Sequence, residues 1–239
     1  GAVHGLVSGV RRRVGFSRGH CREWNHLFTN VHVTPPGERI NRVDKFLSVA
    51  AYLGASIHDA AYRLPESAES RSRVDAFLAQ ERLSGYAVIH PGTSDFGKEK
   101  RWLPERFSAL ARRIGQGLGL KSIVTWGPGE RELAAEVVAG CAEHAVLSMQ
   151  TRSILDLAEL IRHARIFIGC DSGPLHLASA VGAASVGLFG PKDPLVYGPY
   201  SRTHRVVYKP DSMSAITVDD AYQAVEGLVG EIEAAPCAR

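Results

Sequence analysis

Several features that mark common protein classes are missing from this chain. Its four cysteines show no paired spacing, so neither a disulfide framework nor a zinc site follows from them, and a reducing compartment fits best. No apolar run approaches the roughly 20 residues that a membrane-spanning helix needs. The net charge of +3 is too small to indicate a nucleic-acid partner. These absences leave a globular protein of ordinary composition, with 45% hydrophobic and 22% charged residues.

Motifs of several large enzyme classes are absent as well. The Walker A motif, the G-x-G-x-x-G fingerprint and the G-x-S-x-G nucleophile elbow do not occur. No group of His, Cys and Asp has metal-ligand spacing, and we expect neither a metal nor a cofactor. Gly115, Gly117 and Gly119 follow a predicted helix rather than a strand, so they predict a helix stop and a turn.

The first part of the chain is irregular and rich in arginine. The opening Gly1-Ala-Val-His-Gly5 is typical of the middle of a domain, and we expect the chain to begin partway through a longer protein. A cluster of basic residues follows: Arg11, Arg12, Arg13, Arg18 and Arg22. This cluster is interpreted either as a solvated face or as a contact with an anionic partner or membrane surface.

From about residue 71 the pattern becomes regular, since short apolar runs alternate with helical stretches of about ten residues. The predicted strands cover residues 86–90, 122–126, 146–148, 165–169 and 185–189. The predicted helices cover residues 40–53, 71–83, 103–114, 130–139, 153–163, 174–181 and 218–232. This alternation predicts an α/β fold with a mainly parallel sheet, whose ligands bind where the strands end.

Composition divides the chain into four predicted segments. Residues 1–62 form a first segment, and residues 63–84 form a linker and a first helix, with the linker itself over residues 63–70. Residues 85–215 form the α/β domain, and residues 216–239 form a C-terminal helix and tail.

The most informative stretch runs from Ile166 to Gly182 and reads as a buried strand, a tight polar turn and a helix. Asp171 or Ser172 is suited to cap the helix, and Pro174 suits its first turn. Gly173 leaves space for a ligand to approach. The free amides of a helix start at the end of a strand indicate an anion site, most often for phosphate.

Two other loops follow predicted strands. The loop from His90 to Trp102 combines the hydroxyls of Thr93 and Ser94 with Lys98, Lys100 and Arg101, which suits an anionic ligand but also a solvated surface loop. The loop after the second strand ends in a carboxylate at position 130.

The carboxylate of Glu130 has two interpretations. It complements the dipole at the start of a helix, or it accepts hydrogen bonds from ribose hydroxyls, and Glu132 competes for that second role. His176 is likewise open, since it is either a structural hydrogen-bonding residue or a catalytic one.

Several motifs taken together resemble glycosyltransferase family 9, the bacterial lipopolysaccharide heptosyltransferases. The order and spacing match over roughly residues 86–208, and more loosely from residue 10. The motifs are His90-Pro-Gly-Thr-Ser94, Lys100-Arg-Trp-Leu-Pro-Glu-Arg-Phe107, Gly127-Pro-Gly-Glu130, Asp171-Ser-Gly-Pro-Leu-His-Leu-Ala178 and Gly187-Leu-Phe-Gly-Pro191.

The resemblance implies a GT-B architecture with two Rossmann-like domains. The C-terminal domain of this family binds the sugar-nucleotide donor, typically ADP-heptose, and the N-terminal domain binds the lipid A-core acceptor. This chain would then hold a Rossmann-like C-terminal domain and a partial N-terminal domain, the remnant being residues 1–62. The resemblance implies a cytoplasmic location, with a peripheral position at the inner membrane as an open alternative.

The resemblance also implies roles for individual residues. Thr93 and Ser94 would lie by the donor phosphates, and Lys100 would neutralise the diphosphate or touch the sugar. Glu130 would hold the ribose, and Asp171 would meet the donor sugar. The residues implied to meet the diphosphate within the helix-start motif are Ser172, Gly173 and His176, with Pro174 in the same turn.

The reaction implied is an inverting heptosyl transfer, which needs a base for the acceptor hydroxyl and a stabiliser for the leaving diphosphate. The base of the family is an Asp near the start of the N-terminal domain, and it has no counterpart in this chain. We therefore expect the chain alone to bind the donor but to transfer sugar poorly. The alternatives are a sugar-nucleotide epimerase of similar fold and a nucleotide-binding module without activity.

Overall fold

A computed structural model describes residues 2–58, 62 and 64–234. The predictions that fall on residues 1, 59–61, 63 and 235–239 lie outside these described residues. The chain forms two compact units, residues 1–61 and residues 62–239.

The first unit is small and holds two short parallel strands. The strands β1 (Val14–Phe16) and β2 (Val31–Val33) pair with Val14 opposite Val31. Three helical segments accompany them: α1 (Ala2–Val7), a 3-10 helix (Asn25–Leu27) and α2 (Arg42–Tyr52). Asn41 caps α2 by accepting a hydrogen bond from the amide of Val43, which fixes the helix start within the predicted range.

The second unit alternates strands and helices along the chain. Its strands are β3 (Tyr86–His90), β4 (Lys121–Val124), β5 (Ala145–Leu147), β6 (Ile166–Cys170), β7 (Ser185–Phe189) and β8 (His204–Tyr208). Its α-helices are α3 (Ala68–Gln80), α4 (Pro104–Leu118), α5 (Arg131–Ala139), α6 (Ile154–Arg162), α7 (Gly173–Ala180), α8 (Pro194–Tyr197) and α9 (Val218–Ala234). Short 3-10 helices cover Asp95–Lys100 and Met213–Ala215.

The six strands of this unit form one sheet in the order β5-β4-β3-β6-β7-β8, and all pairs are parallel. The predicted α/β class and parallel sheet are therefore confirmed. The strand order reverses between β3 and β6. After β3 the chain adds β4 and β5 on one side of the sheet, and after β6 it adds β7 and β8 on the other side. The loops that follow these two strands diverge and leave a crevice at the carboxyl edge of the sheet.

Alternate strand residues supply two apolar layers, one on each face of the sheet. Ala87 and Ile89 of β3 pack with α4, α5 and α9, whereas Tyr86 and Val88 pack with α3, α6 and α7. Helices cover both faces of the sheet, which explains why the sequences of the central strands are continuous apolar runs. This two-sided burial holds the strand ends rigidly in place.

The prediction of a helix stop at Gly115 and Gly117 is wrong. Helix α4 continues to Leu118 and ends at Gly119, whose φ of 65° is the left-handed conformation that favours glycine. A side chain at Gly115 would collide with the ring of His144, and one at Gly117 would collide with the hydroxyl of Tyr222. These two glycines therefore serve close packing within the helix rather than chain termination.

Three further sequence interpretations change with the structure. Part of the predicted linker is helical, because Ser67 accepts a hydrogen bond from the Ser70 amide and α3 begins at Ala68. Strand β8 was not predicted, since it lies at the sheet edge and, apart from Val207, its residues are only partly buried or exposed. Helix α9 packs into the same core as the sheet, so the predicted segment 216–239 is not separate from the α/β unit over the residues described.

Candidate functional site

A cavity of about 430 Å³ opens at the carboxyl edge of the six-stranded sheet. Its lining comes from the loops that follow β3, β4, β5 and β6, as expected at the point where the strand order reverses. Six of the predicted site residues line it: Thr93, Ser94, Glu130, Ser172, Gly173 and Pro174. Three others, Lys100, Asp171 and His176, lie outside this lining.

Helix α7 begins at the wall of this cavity. Ser172 occupies the cap position, but its side chain makes no capping hydrogen bond, and Pro174 lies in the first turn. The hydroxyl of Ser172 is buried and has no hydrogen-bond partner among the described residues. The predicted capping by Ser172 is therefore not made, and an unsatisfied hydroxyl lies beside the positive end of the helix dipole.

Asp171 also makes no cap, because other groups hold its carboxylate. The Lys100 Nζ lies 3.0 Å from its Oδ2 and donates a second hydrogen bond of 3.1 Å to its backbone carbonyl. The Nε2 of His176 lies 3.8 Å from Oδ1. Burial raises the pKa of Asp171, but the nearby His176 and the hydrogen bonds and positive charge of Lys100 outweigh this effect, so the net pKa is lowered. The carboxylate is thus ionised and paired at neutral pH.

Glu130 is held by groups from three directions. Its Oε2 accepts a 3.1 Å hydrogen bond from the Gly127 amide, and its Oε1 lies 3.4 Å from the Arg101 guanidinium. The Nε2 of His90 lies 3.6 Å from Oε2. Glu132, the competing carboxylate, is exposed and lies outside the cavity lining. Of the two candidates, the structure brings Glu130 to the cavity.

Arg101 joins two walls of the cavity, a role that the sequence did not indicate beyond a positive charge in the loop after β3. It donates from Nε to the Thr93 hydroxyl at 3.0 Å and from Nη2 to the Thr93 carbonyl, and it also reaches Glu130. The Thr93 hydroxyl in turn donates to the Gly97 carbonyl at 2.9 Å. Thr93 is therefore fixed by the protein itself, and Arg101 ties the loop after β3 to the loop after β4.

His90 is a second residue that the site predictions omitted. It is the last residue of β3, it is buried, and its Nδ1 lies 3.0 Å from the Thr125 hydroxyl. Burial, aided by the positive charge of Arg101, lowers the pKa of His90 from 6.5 to about 4. At neutral pH its contact with Glu130 is therefore that of an uncharged imidazole. Its position at the end of a strand is the sequence feature that could have identified His90 as a site residue.

The loop between β5 and α6 forms a further wall of the cavity, which was not predicted from the sequence. Thr151, Arg152 and Ser153 line the cavity there. The fully buried Asp156 accepts a 2.7 Å hydrogen bond from the Arg152 amide and pairs with Arg73 of α3. Burial opposes ionisation, but these bonds lower the pKa of Asp156 to about 2. A charged side chain in the first turn of α6 thus anchors this wall.

Neither a metal centre nor a membrane-spanning helix is found in the described part of the chain. Its residues include no group of three or more His, Cys, Asp or Glu arranged to hold a metal ion. Among the helices described there, none is long and apolar enough to cross a bilayer.

Comparison with known proteins gives one family. The family model described as glycosyltransferase family 9 (heptosyltransferase) matches residues 5–223. Lipopolysaccharide heptosyltransferase 3 of Escherichia coli is 30% identical over 205 residues, which cover 82% of this chain and 58% of the relative. This chain therefore spans little more than half the length of that relative.

Solved structures of similar fold agree with this result. The glycosyl transferase family 9 protein from Veillonella parvula superposes with a TM-score of 0.81 at 21% identity, covering 96% of this chain and 70% of that one. The E. coli ADP-heptose lps heptosyltransferase II gives 0.74 at 22% identity, covering 98% and 74%. At this identity the likeness concerns the fold, and it confirms the predicted fold class.

The buried His90 predicts an acid sensitivity with a defined window. Because its folded-state pKa lies below 6.5, the unfolded chain takes up the proton first as the pH falls. Stability is therefore full above pH 6.5 and declines toward pH 4, by about 3 kcal/mol from this residue. Urea unfolding at several pH values should show that decline in the wild type and its loss in His90→Asn.

Asp156→Asn is the matched control for this measurement. Its pKa is also lowered, but it titrates below 3.8, so the decline between pH 6.5 and 4 should persist in that variant. Parallel pH profiles of the wild type and His90→Asn across the window would refute the assignment.

Proposed function

The chain belongs to glycosyltransferase family 9, the heptosyltransferases, and from this we propose that the cavity binds the nucleoside diphosphate of a sugar donor. We propose ADP-heptose as that donor, because the E. coli relative of similar fold is described by this compound. The proposed reaction is transfer of heptose, with inversion, to the inner core of lipopolysaccharide. The observation that carries the proposal is the start of α7, with its unsatisfied Ser172 hydroxyl, in the wall of a cavity at the strand ends.

The diphosphate is assigned to the start of α7. Backbone amides and the helix dipole favour an anion there, and the hydroxyl of Ser172 is available as a donor. Gly173 adds no side chain, and a Cβ at that position would meet no atom within 4 Å, so a phosphate has room to approach. Lys100 adds a full positive charge nearby, held in place by Asp171. Thr93 and Ser94 face the same cavity from the loop after β3.

The nucleoside is assigned to the other side of the cavity. Glu130 has an acceptor carboxylate already oriented by Gly127 and Arg101, and ribose hydroxyls would donate to it. Trp126, Ile154 and Leu157 line the cavity nearby and offer apolar surface for a base. The sugar itself is assigned to Asp171 and His176, beyond the start of α7.

In the proposed transfer, the acceptor hydroxyl oxygen forms a bond to the anomeric carbon while the bond from that carbon to the diphosphate oxygen breaks. ADP leaves with the electron pair, and the acceptor proton passes to a base. Lys100 and the start of α7 stabilise the charge that develops on the leaving diphosphate. No residue of this chain is assigned as the base. Residues 1–61 are proposed to belong to the acceptor side of the protein.

Calorimetric titration of the chain with ADP tests the assignment of the diphosphate. We expect ADP to bind and Lys100→Ala to weaken the affinity by about tenfold or more, because a charge-assisted contact to the phosphate is lost. Lys98→Ala, which removes the same charge from an exposed position in the same loop, is the matched control and should keep the affinity.

Parallel titrations with UDP and NAD decide between ADP and other nucleotides. Tight binding of UDP without binding of ADP would overturn the heptose donor and favour an epimerase of similar fold. Equal affinity of the wild type and Lys100→Ala for ADP would remove Lys100 from the site.

The assignment of the ribose to Glu130 can be tested separately, because Glu130 lines the cavity whereas the nearby Glu132 is exposed outside it. If Glu130 accepts the ribose hydroxyls, the wild type binds ADP more tightly than dideoxy-ADP, by about tenfold. Glu130→Gln should reduce this preference, whereas the exposed Glu132→Gln should leave it unchanged. A preference that survives in Glu130→Gln, or is lost in Glu132→Gln, would contradict the assignment.

A further inference from the structure

A second cavity, of about 600 Å³, lies at the opposite edge of the same sheet. Residues that directly precede three strands line it: Arg165 before β6, Ala184 before β7 and Thr203 before β8. The end of α9 forms another side, through Glu231 and Ile232. Strands of five residues place this amino-edge cavity about 16 Å from the carboxyl edge, so it is not part of the nucleotide site.

The lining of the amino-edge cavity is strongly basic. Four arginines face one glutamate: Arg162, Arg165, Arg202 and Arg205 against Glu231. Among the lining residues, arginines outnumber carboxylates by four to one. Gly182, Ala183 and Ala164 contribute small side chains to the lining, which leave room for a ligand to reach the guanidinium groups.

Two of the four arginines have carboxylate partners near the surface. Arg165 lies 2.8 Å from Glu233, and Arg205 pairs with Glu231. All four side chains are more than 40% exposed, and such pairs contribute little free energy in water. These partners are therefore readily exchanged for a stronger anion.

The other two arginines have unused donors. Arg202 is exposed and makes no hydrogen bond or ion pair with the described residues. The Nε of Arg162 forms an ion pair with the buried Glu159 at 3.5 Å, whereas its buried Nη2 forms no hydrogen bond in the described part of the chain. A buried guanidinium nitrogen without an acceptor carries a desolvation cost, which an anion that reached it would relieve.

A structural role explains only part of this arrangement. Helices α6, α7 and α9 end at this edge, and an arginine in the last turn of a helix is stabilised by the helix dipole. This accounts for Arg162, which ends α6. It does not account for Arg202, which lies in the loop before β8 and has no partner in the described residues.

We propose that the amino-edge cavity binds a phosphate-bearing group, with Arg162 and Arg202 as its principal donors. The planar guanidinium fork matches phosphate oxygens in pairs, and a cluster of four arginines supplies the charge that a phosphate requires. The phosphate has two possible sources, the headgroup of an anionic phospholipid and a soluble phosphate or pyrophosphate. This inference does not depend on the proposed function.

The test uses two probes on the folded chain, since they distinguish the two sources. Inorganic pyrophosphate is titrated calorimetrically in the presence of excess ADP, so that the proposed diphosphate site at the start of α7 is occupied. Co-sedimentation is measured with vesicles of phosphatidylcholine that contain or lack phosphatidylglycerol. We expect Arg162→Gln with Arg202→Gln to weaken binding of at least one probe by about tenfold. Arg71→Gln with Arg112→Gln removes the same charge from exposed positions outside the cavity and should change binding less than about twofold.

The two probes distinguish the two sources of the phosphate. Loss of vesicle binding in the cavity variant identifies a lipid headgroup, and loss of pyrophosphate binding alone identifies a soluble phosphate. Arg202→Gln alone changes an exposed residue and leaves the core intact. It should weaken binding of the same probe, and it therefore controls for misfolding of the double variant. The proposal is overturned if neither probe binds, or if both double variants lose binding equally. Binding of ADP is measured alongside and should remain, since the carboxyl-edge site is separate.

Discussion

The parallel pairing of β3 with β6 is the constraint on which the rest of the second unit depends. Both strands are buried over their full length, so their ends are fixed by packing on both faces of the sheet. The chain leaves them in opposite directions, and the crevice between the diverging loops is a consequence of strand order. Every residue assigned to the donor lies at or beside that crevice, on a loop or the early part of a helix that follows β3, β4, β5 or β6.

The two edges of the sheet differ in how they present charge. At the carboxyl edge, the cavity lies beside the amides that begin α7 and several hydroxyls, and its carboxylates are already paired. Three basic residues lie in or beside its walls: Lys100, Arg101 and Arg152. At the amino edge, helices end, and arginines gather opposite their partial negative charge. The first arrangement combines oriented neutral donors with a few paired charges, whereas the second consists mainly of arginine side chains. The two edges are therefore expected to differ in selectivity, with the carboxyl edge the more specific.

Much of the fold could be predicted from the sequence, because the apolar runs coincide with the core strands and the helical spacing coincides with the core helices. The helix-start motif was found because Asp171, Ser172 and Pro174 are adjacent in the chain. The clamp of Arg101 on Thr93 and Glu130 was not found, since it joins loops 29 residues apart whose approach depends on strand order. The glycines of α4 were misread because their packing partners, His144 and Tyr222, are distant in sequence. The arginines of the amino edge are likewise gathered only by the fold.

The central claim is that the start of α7 holds the donor diphosphate. A crystal structure of the chain with ADP measures this most directly. The account predicts the diphosphate at the start of α7, within hydrogen-bond distance of Ser172 and Lys100, with the ribose hydroxyls against Glu130. A diphosphate located elsewhere, for example between Arg162 and Arg202 at the amino edge, with the cavity at α7 empty, would contradict it.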